Sequence, residues 1–321
     1  MWRPGAIVNG IKRILLEKVI LLSLIMLFSA CIHSRQDYTM TAYLCRHMGQ
    51  YDKAIDLYTR ALEISPKDAG IYNDRGLVFD DKGDYDRAIT DYDRAIGIDS
   101  NLYAAYNNRG RSYSKKGDQQ RAINDFNRAI EIKQDFSTAY INRGLAFYRA
   151  GDKSSAIEDY NKAIEIKSYT SKAILSAAYY NRGLVYSSEA NCGKAISDFD
   201  NAAQADRKSG GNLVEISLVL STSPDGKCRD GERAVRFADE ALQIRKTPAA
   251  LRALAASYAE IGMFDKAVSS QEEALALLQK GIIKPSSAAV DYYTRQLQSY
   301  KDSMPWREKW PEKNNPTPES E

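Results

Sequence analysis

The sequence predicts an all-α protein built from a series of antiparallel helix pairs, and three observations support this fold class. A glycine recurs every 34 residues, at Gly76, Gly110 and Gly144, and returns after 39 residues at Gly183. Aromatic and alanine residues recur around each glycine at helical spacing. A turn sequence such as Gly-Asp at 151–152 divides each unit into two halves. A helix–turn–helix unit repeated at this period predicts a solenoid, in which each pair packs against the next.

The units share one frame of packing positions. An aromatic residue lies four positions before each glycine and another lies three after it, and an alanine–aromatic–alanine pattern follows in the second half. The glycine itself has no side chain, so the paired helix is expected to approach closely there. The members are Tyr72, Tyr106, Tyr140 and Tyr179, then Phe79, Tyr113, Phe147 and Tyr186, then Ala88, Ala122, Ala156 and Ala195, then Tyr92, Phe126, Tyr160 and Phe199, then Ala95, Ala129, Ala163 and Ala202.

This frame resembles the tetratricopeptide repeat. The resemblance implies a right-handed superhelical solenoid whose first helices line a concave inner surface. An apolar face over about 286–302, within 282–310, predicts a helix that caps the last open core, and the polar segment 311–321 is expected to be disordered. The predicted repeats are 35–68, 69–102, 103–136, 137–170 and 176–209, followed by a variant unit and a further repeat (248–281) within 210–281.

The residues two positions before each glycine are expected to face away from the core, on the concave surface. A column of asparagine amides there would offer a donor and an acceptor at each step. The column resembles the asparagine ladder of peptide-binding tetratricopeptide arrays, which implies that it binds a peptide main chain. Alternatively, the recurring Asn-Arg-Gly triplet solvates a helix face or links neighbouring repeats. The column is Asp74, Asn108, Asn142 and Asn181.

Basic residues one or two turns beyond this column are expected to select the partner. Arg111, Lys115 and Arg149 occupy these positions in the third and fourth repeats. Their charge favours a partner segment with an acidic centre.

The N-terminal residues 1–30 predict an export signal. Four basic residues precede or border an apolar run at 19–28, and small residues follow it. The stretch "LFSAC" resembles a bacterial lipobox, which implies lipidation of Cys31, a tether over 31–34 and attachment to the cell envelope. Because residue 32 is not aspartate, the resemblance implies the outer membrane in a Gram-negative cell. An uncleaved signal anchor is the alternative, although the run is shorter than the roughly 20 residues that span a bilayer.

Three further cysteines have structural explanations. Cys192 and Cys228 lie in the internal turns of consecutive units, which stacking brings close together. In the oxidising environment of an exported protein we predict a disulfide between them. Cys45 occupies an apolar core position of the first repeat.

The sequence favours a non-enzymatic function without cofactor or metal. It shows no phosphate loop, no metal-spaced His/Cys cluster and no Ser-His-Asp arrangement. Recurring carboxylate pairs, Asp80/Asp81 and Glu158/Asp159, are interpreted as solvated helix faces. The net charge of +3 resides in residues 1–30, so a nucleic-acid partner is not expected. We predict an envelope scaffold that binds a protein segment. An accessory subunit that binds glycan or peptidoglycan and a self-assembling structural protein are the alternatives.

Overall fold

The computed structural model describes residues 35–166, 171–208, 210–281 and 285–307. Within these ranges the chain forms 15 α-helices and one short 3₁₀ helix, with no strand. The predicted signal, Cys31, the tether and the tail 311–321 lie outside the described residues. The chain divides into two units at Ile132 and Lys133.

The first unit consists of three helix pairs. Each odd-numbered helix packs against the even-numbered helix that follows it, and α1, α3 and α5 also pack in sequence against one another. The helices are α1 (Arg35–His47), α2 (Tyr51–Ile64), α3 (Ala69–Asp81), α4 (Tyr85–Ile98), α5 (Tyr103–Lys115) and α6 (Gln119–Ile132).

The second unit contains four helix pairs and a final single helix. The variant repeat is the pair α11–α12, and its internal turn contains the 3₁₀ helix Gly226–Cys228. The helices are α7 (Ser137–Ala150), α8 (Lys153–Glu165), α9 (Lys172–Ser188), α10 (Cys192–Ala205), α11 (Gly210–Thr222), α12 (Gly231–Ile244), α13 (Pro248–Glu260), α14 (Phe264–Gln279) and α15 (Ser287–Lys301).

Short turns with a regular chemistry join the two helices of a repeat. At the turn between α3 and α4, Gly83 has φ +80°, a left-handed conformation that glycine adopts without steric cost. Asp84 follows as the N-cap of α4, and its carboxylate accepts a hydrogen bond from the backbone N–H of Arg87. The same arrangement recurs at Gly151 and Asp152 before α8.

The repeat glycines allow the two helices of a pair to touch. A Cβ placed on Gly144 would lie 2.8 Å from Cε1 of Tyr160, a separation that real Cβ atoms essentially never show. Tyr160 is fully buried between flanking alanines, Ala156 and Ala163. The other frame glycines meet Tyr92, Phe126 or Phe199 in the same way. The predicted packing frame and the all-α repeat fold are therefore confirmed.

The single helix α15 covers the apolar end of the last pair, as predicted for a cap. Ser286 caps its first turn by accepting a hydrogen bond from the backbone N–H of Ala289. Tyr293 and Tyr300 are buried against α13 and α14. Trp306, beyond the helix, packs edge-on against Tyr292, with ring centroids 5.9 Å apart.

Candidate binding surface on the first helices

The predicted asparagine column of the first unit is largely engaged within the protein. Asn108 is buried, so the expectation that it faces away from the core is wrong. Its amide donates a hydrogen bond of 2.9 Å to Oδ1 of Asn73, on the neighbouring first helix α3. Asn73 in turn donates to Asp74, which is half-buried and whose pKa is raised by burial. These amides therefore join neighbouring repeats.

The column of the second unit is half-buried at both positions. The amide of Asn181 donates a 2.8 Å hydrogen bond to the carbonyl of Ala177, one turn earlier in α9. Asn142 is similarly half-buried on α7. Arg149 is also half-buried, and its pKa is lowered by burial. The structure therefore exposes only part of each side chain on this face.

Two basic residues of the first unit are exposed as predicted on α5. Arg111 and Lys115 lie one turn apart on the same face of that helix. The same frame positions in the first repeat, 68 residues earlier, are Tyr43 and His47, and the position of Asn108 corresponds to Met40. All three of these α1 residues are exposed. They were not predicted as binding residues, because the first repeat has Met40 in place of the asparagine of the column.

The arginine beside each frame glycine forms a buried fork with an aspartate, and sequence reasoning missed these pairs. In each repeat the guanidinium donates two hydrogen bonds of 2.6–2.8 Å to both oxygens of an aspartate 16 residues later, on the second helix. The aspartates precede the buried aromatics of the frame, a recurrence that would have revealed them. The pairs are Arg75–Asp91, Arg109–Asp125, Arg143–Asp159 and Arg182–Asp198.

In three of these arginines, Arg75, Arg109 and Arg182, a third donor reaches back to the second helix of the preceding repeat. In the first unit, Nη1 of Arg75 donates to the hydroxyl of Thr59 at 2.9 Å, and Nη1 of Arg109 pairs with Asp93 at 2.6 Å. The hydrogen bonds to Asp91 raise the pKa of Arg75 above its ordinary value. The arginine of the Asn-Arg-Gly triplet thus links neighbouring repeats, as the alternative interpretation proposed.

Two of the carboxylates interpreted as solvated are in fact engaged. Asp159 is buried in its pair with Arg143. Asp80 is half-buried, where it accepts hydrogen bonds from the hydroxyls of Ser112 and Tyr92 at 2.6 and 3.1 Å. Burial raises the pKa of Asp80. Because both carboxylates already have partners inside the fold, they serve packing between helices.

Another carboxylate of the first-helix face is neutralised by a neighbouring repeat. Asp81 of α3 forms a salt bridge of 2.6 Å with Nε of Arg46 on α1. The charges of Asp81 and Arg46 therefore balance each other on this face, and Arg111 and Lys115 on α5 are its exposed basic residues.

Cys192 and Cys228 lie together in a disulfide, with their Cα atoms 4.7 Å apart. It joins the start of α10 to the internal turn of the variant repeat. The carboxylate of Asp225 lies within 4.8 Å of both sulfur atoms, the one such grouping of three potential metal ligands in the part of the chain that the structure describes. Since both sulfurs are bonded to each other, the grouping offers no thiolate. Cys45 is a buried free thiol, and burial raises its pKa.

None of the described helices combines the length and apolar character that a membrane crossing requires.

Comparison with known proteins identifies the repeats. A family model described as "TPR repeat" matches residues 42–82, 76–117 and 110–151, and one described as "Tetratricopeptide repeat" matches residues 137–169. No curated protein sequence matches the chain. Residues 42–169 thus match tetratricopeptide repeats, and the matched residues extend from the first unit into the second.

Solved structures share the fold at low sequence identity. Yeast Tom70 has a TM-score of 0.66 at 17% identity, over 88% of this chain and 58% of that chain. The Cut9–Hcn1 hetero-tetramer of the APC/C gives 0.58 at 15% identity, over 83% of this chain and 49% of that one. A tetratricopeptide repeat protein of Parabacteroides merdae gives 0.55 at 14% identity, over 83% and 98%. These similarities show the fold alone.

Proposed function

We propose that this tetratricopeptide repeat protein is a non-catalytic scaffold that binds a segment of a protein partner on the exposed face of its first helices. The observation that carries the proposal is the contrast between side chains that are paired inside the fold and side chains that are exposed on the first helices. The buried Arg–Asp forks hold the repeats together, whereas Arg111 and Lys115 are exposed on α5 and the α1 residues at matching positions are exposed as well. Side chains that the fold does not use remain for a partner.

We further propose that the protein is exported and held at the bacterial envelope through Cys31. The lipobox-like stretch "LFSAC" and the basic, apolar segment before it support this. Several acyl chains, at about 0.8 kcal/mol per buried CH₂, would anchor the chain stably. The disulfide between Cys192 and Cys228 is consistent with an oxidising compartment. The neutral net charge of residues 31–321 argues against a nucleic-acid partner.

Site-specific photo-crosslinking tests the binding face. A photoreactive phenylalanine derivative at Tyr43 keeps an aromatic ring on α1, and the same residue at Arg94, exposed on the second helix α4, is the matched control. We expect a discrete crosslinked protein at Tyr43 that is absent at Arg94. Identical crosslinking at both positions, or none at either, contradicts binding on this face.

Membrane attachment has a separate test. Cys31→Ala is expected to abolish incorporation of labelled palmitate and to change how the protein fractionates, with Cys45→Ala as the control for loss of a cysteine. A Cys31→Ala protein that fractionates and migrates like the unaltered one overturns the lipidation proposal and leaves the binding face untouched.

A further inference from the structure

The first repeat has two exposed apolar residues, Met40 and Tyr43, at frame positions that Asn108 and Arg111 occupy in the third repeat. Met40 and Tyr43, one turn apart on α1, are 60% and 48% exposed, and the other large apolar side chains exposed in the described part of the first unit are Ile64 and Ile98. His47 follows one turn later and contacts the Tyr43 ring edge-on, with centroids 4.3 Å apart. Exposed methionine and aromatic side chains are typical of sites that bind apolar side chains of a partner.

The opposite end of the same face is basic. Arg111 occupies on α5 the frame position that Tyr43 occupies on α1, and Lys115 lies one turn further. Between them, on α3, Asp81 is paired with Arg46, and Asp80 accepts hydrogen bonds from Ser112 and Tyr92. Arg46 therefore balances the charge of Asp81, whereas the Asp80 carboxylate attracts Arg111 and offsets one of the two positive charges of Arg111 and Lys115.

The helix spacing sets the distance between the two ends. The first helices α1, α3 and α5 pack in sequence against one another. Packed helices lie about 8–10 Å apart, so α1 and α5 are separated by about 20 Å. An extended peptide advances about 3.3 Å per residue, and about six residues span that distance.

We propose that this face of the first unit binds an extended acidic peptide through two anchor points. An apolar side chain of the peptide packs on Met40 and Tyr43, and a carboxylate about six residues away pairs with Arg111 and Lys115. The proposal rests on the proposed scaffold function and adds the chemistry of the partner. The exposed basic residues Arg111 and Lys115 and the exposed apolar residues Met40 and Tyr43 are the two independent observations that support it.

Selection from a random dodecapeptide library displayed on phage tests the proposal, with the purified full chain as bait and an unrelated helical protein as background. The test variants are the doubles Met40→Ser/Tyr43→Ser and Arg111→Glu/Lys115→Glu. Ile64→Ser, at another exposed apolar residue, and Arg94→Glu, at another exposed arginine, are the matched controls. Circular dichroism verifies that all variants keep their helical content, which substitution at exposed positions should preserve.

The expected peptides pair an apolar residue with Asp or Glu about six positions away. Their affinity should fall about tenfold or more in either double variant and stay unchanged in both controls. The charge-reversed variant should select Lys or Arg at the acidic position.

Two other outcomes are distinguishable. Selected peptides that lack this pairing and bind both double variants as tightly as the controls would overturn the two-anchor proposal while leaving a peptide-binding scaffold. Selection no stronger than on the unrelated protein would overturn this proposal and the peptide-binding function together.

Discussion

The Arg109–Asp125 fork gives a quantitative prediction about what holds the repeats together. Its two hydrogen bonds measure 2.8 and 2.6 Å, and the side chain of Asp125 is 9% exposed while that of Arg109 is 19% exposed. Removing one member of a buried ion pair leaves the other desolvated and costs about 3–5 kcal/mol. Arg109 keeps its pairing with Asp93 in an Asp125→Ala variant, so we expect about 3 kcal/mol, the lower end.

A double variant distinguishes the cost of losing the ion pair from the cost of leaving Arg109 buried without Asp125. Arg109→Met/Asp125→Leu replaces the fork by apolar side chains of similar size, and such replacements are often neutral or stabilising. We expect it to be more stable than Asp125→Ala. Asp93→Ala removes the more exposed partner of Arg109, with a side chain 52% exposed, and should cost less than about 1 kcal/mol.

Urea unfolding followed by circular dichroism at 222 nm measures these free energies on the full chain. A loss of less than about 1 kcal/mol in Asp125→Ala, the range of a surface pair, would contradict a stabilising role of the buried pair. An apolar double variant as unstable as Asp125→Ala would show that the unpaired charge of Arg109 is not the cause of the loss.

Further predictions address packing, the disulfide and pH. Gly144→Ala should lower the free energy of unfolding by about 1–3 kcal/mol, because its Cβ would collide with Tyr160. Gly193→Ala is the control, because no atom lies within 4 Å of the added Cβ, and urea unfolding should show no loss of stability in that variant. Reduction of the disulfide, whose cysteines are 36 residues apart, should lower the unfolding free energy by about 4 kcal/mol, and an unchanged urea midpoint would contradict this. Hydrogen bonds from the backbone and side chain of Arg121 lower the pKa of Asp118. Its stabilising contribution is therefore complete above the unfolded-state pKa of about 3.9 and is lost as pH falls through the folded-state value. In Asp118→Asn the thermal midpoint should therefore fall less steeply with decreasing pH below about pH 4 than in the unaltered protein. Equal slopes of midpoint against pH in the two proteins would refute this.

The packing frame was predictable because its residues act through size alone. A glycine such as Gly144 and an aromatic residue such as Tyr160 recur at fixed spacing, and their contact follows from helix geometry. The cap was predicted over about 286–302, and α15 spans Ser287–Lys301, because Ser286 marks its start chemically.

Polar residues were harder to place because their position depends on partners in another repeat. Asn108 was expected on the concave face, yet Asn73 of the neighbouring helix draws its amide inward. Aspartate usually lies at the protein surface, but Asp159 is buried because Arg143 donates hydrogen bonds to both of its carboxylate oxygens. Only the recurrence of arginine and aspartate 16 residues apart could have revealed this from sequence.

The reach of the arginine forks bears on how such a chain can change in length over evolution. Arg75 and Arg109 each contact a residue 16 positions before and another 16 after. Duplication or loss of 34 residues by unequal recombination would recreate both contacts at the new junction. Arg182 finds its earlier partner, Asn161, 21 positions back, so five inserted residues are tolerated without loss of the link. Threonine, aspartate and asparagine all serve as that earlier partner. The partner residue can therefore change between these types while the hydrogen bond between neighbouring repeats is kept.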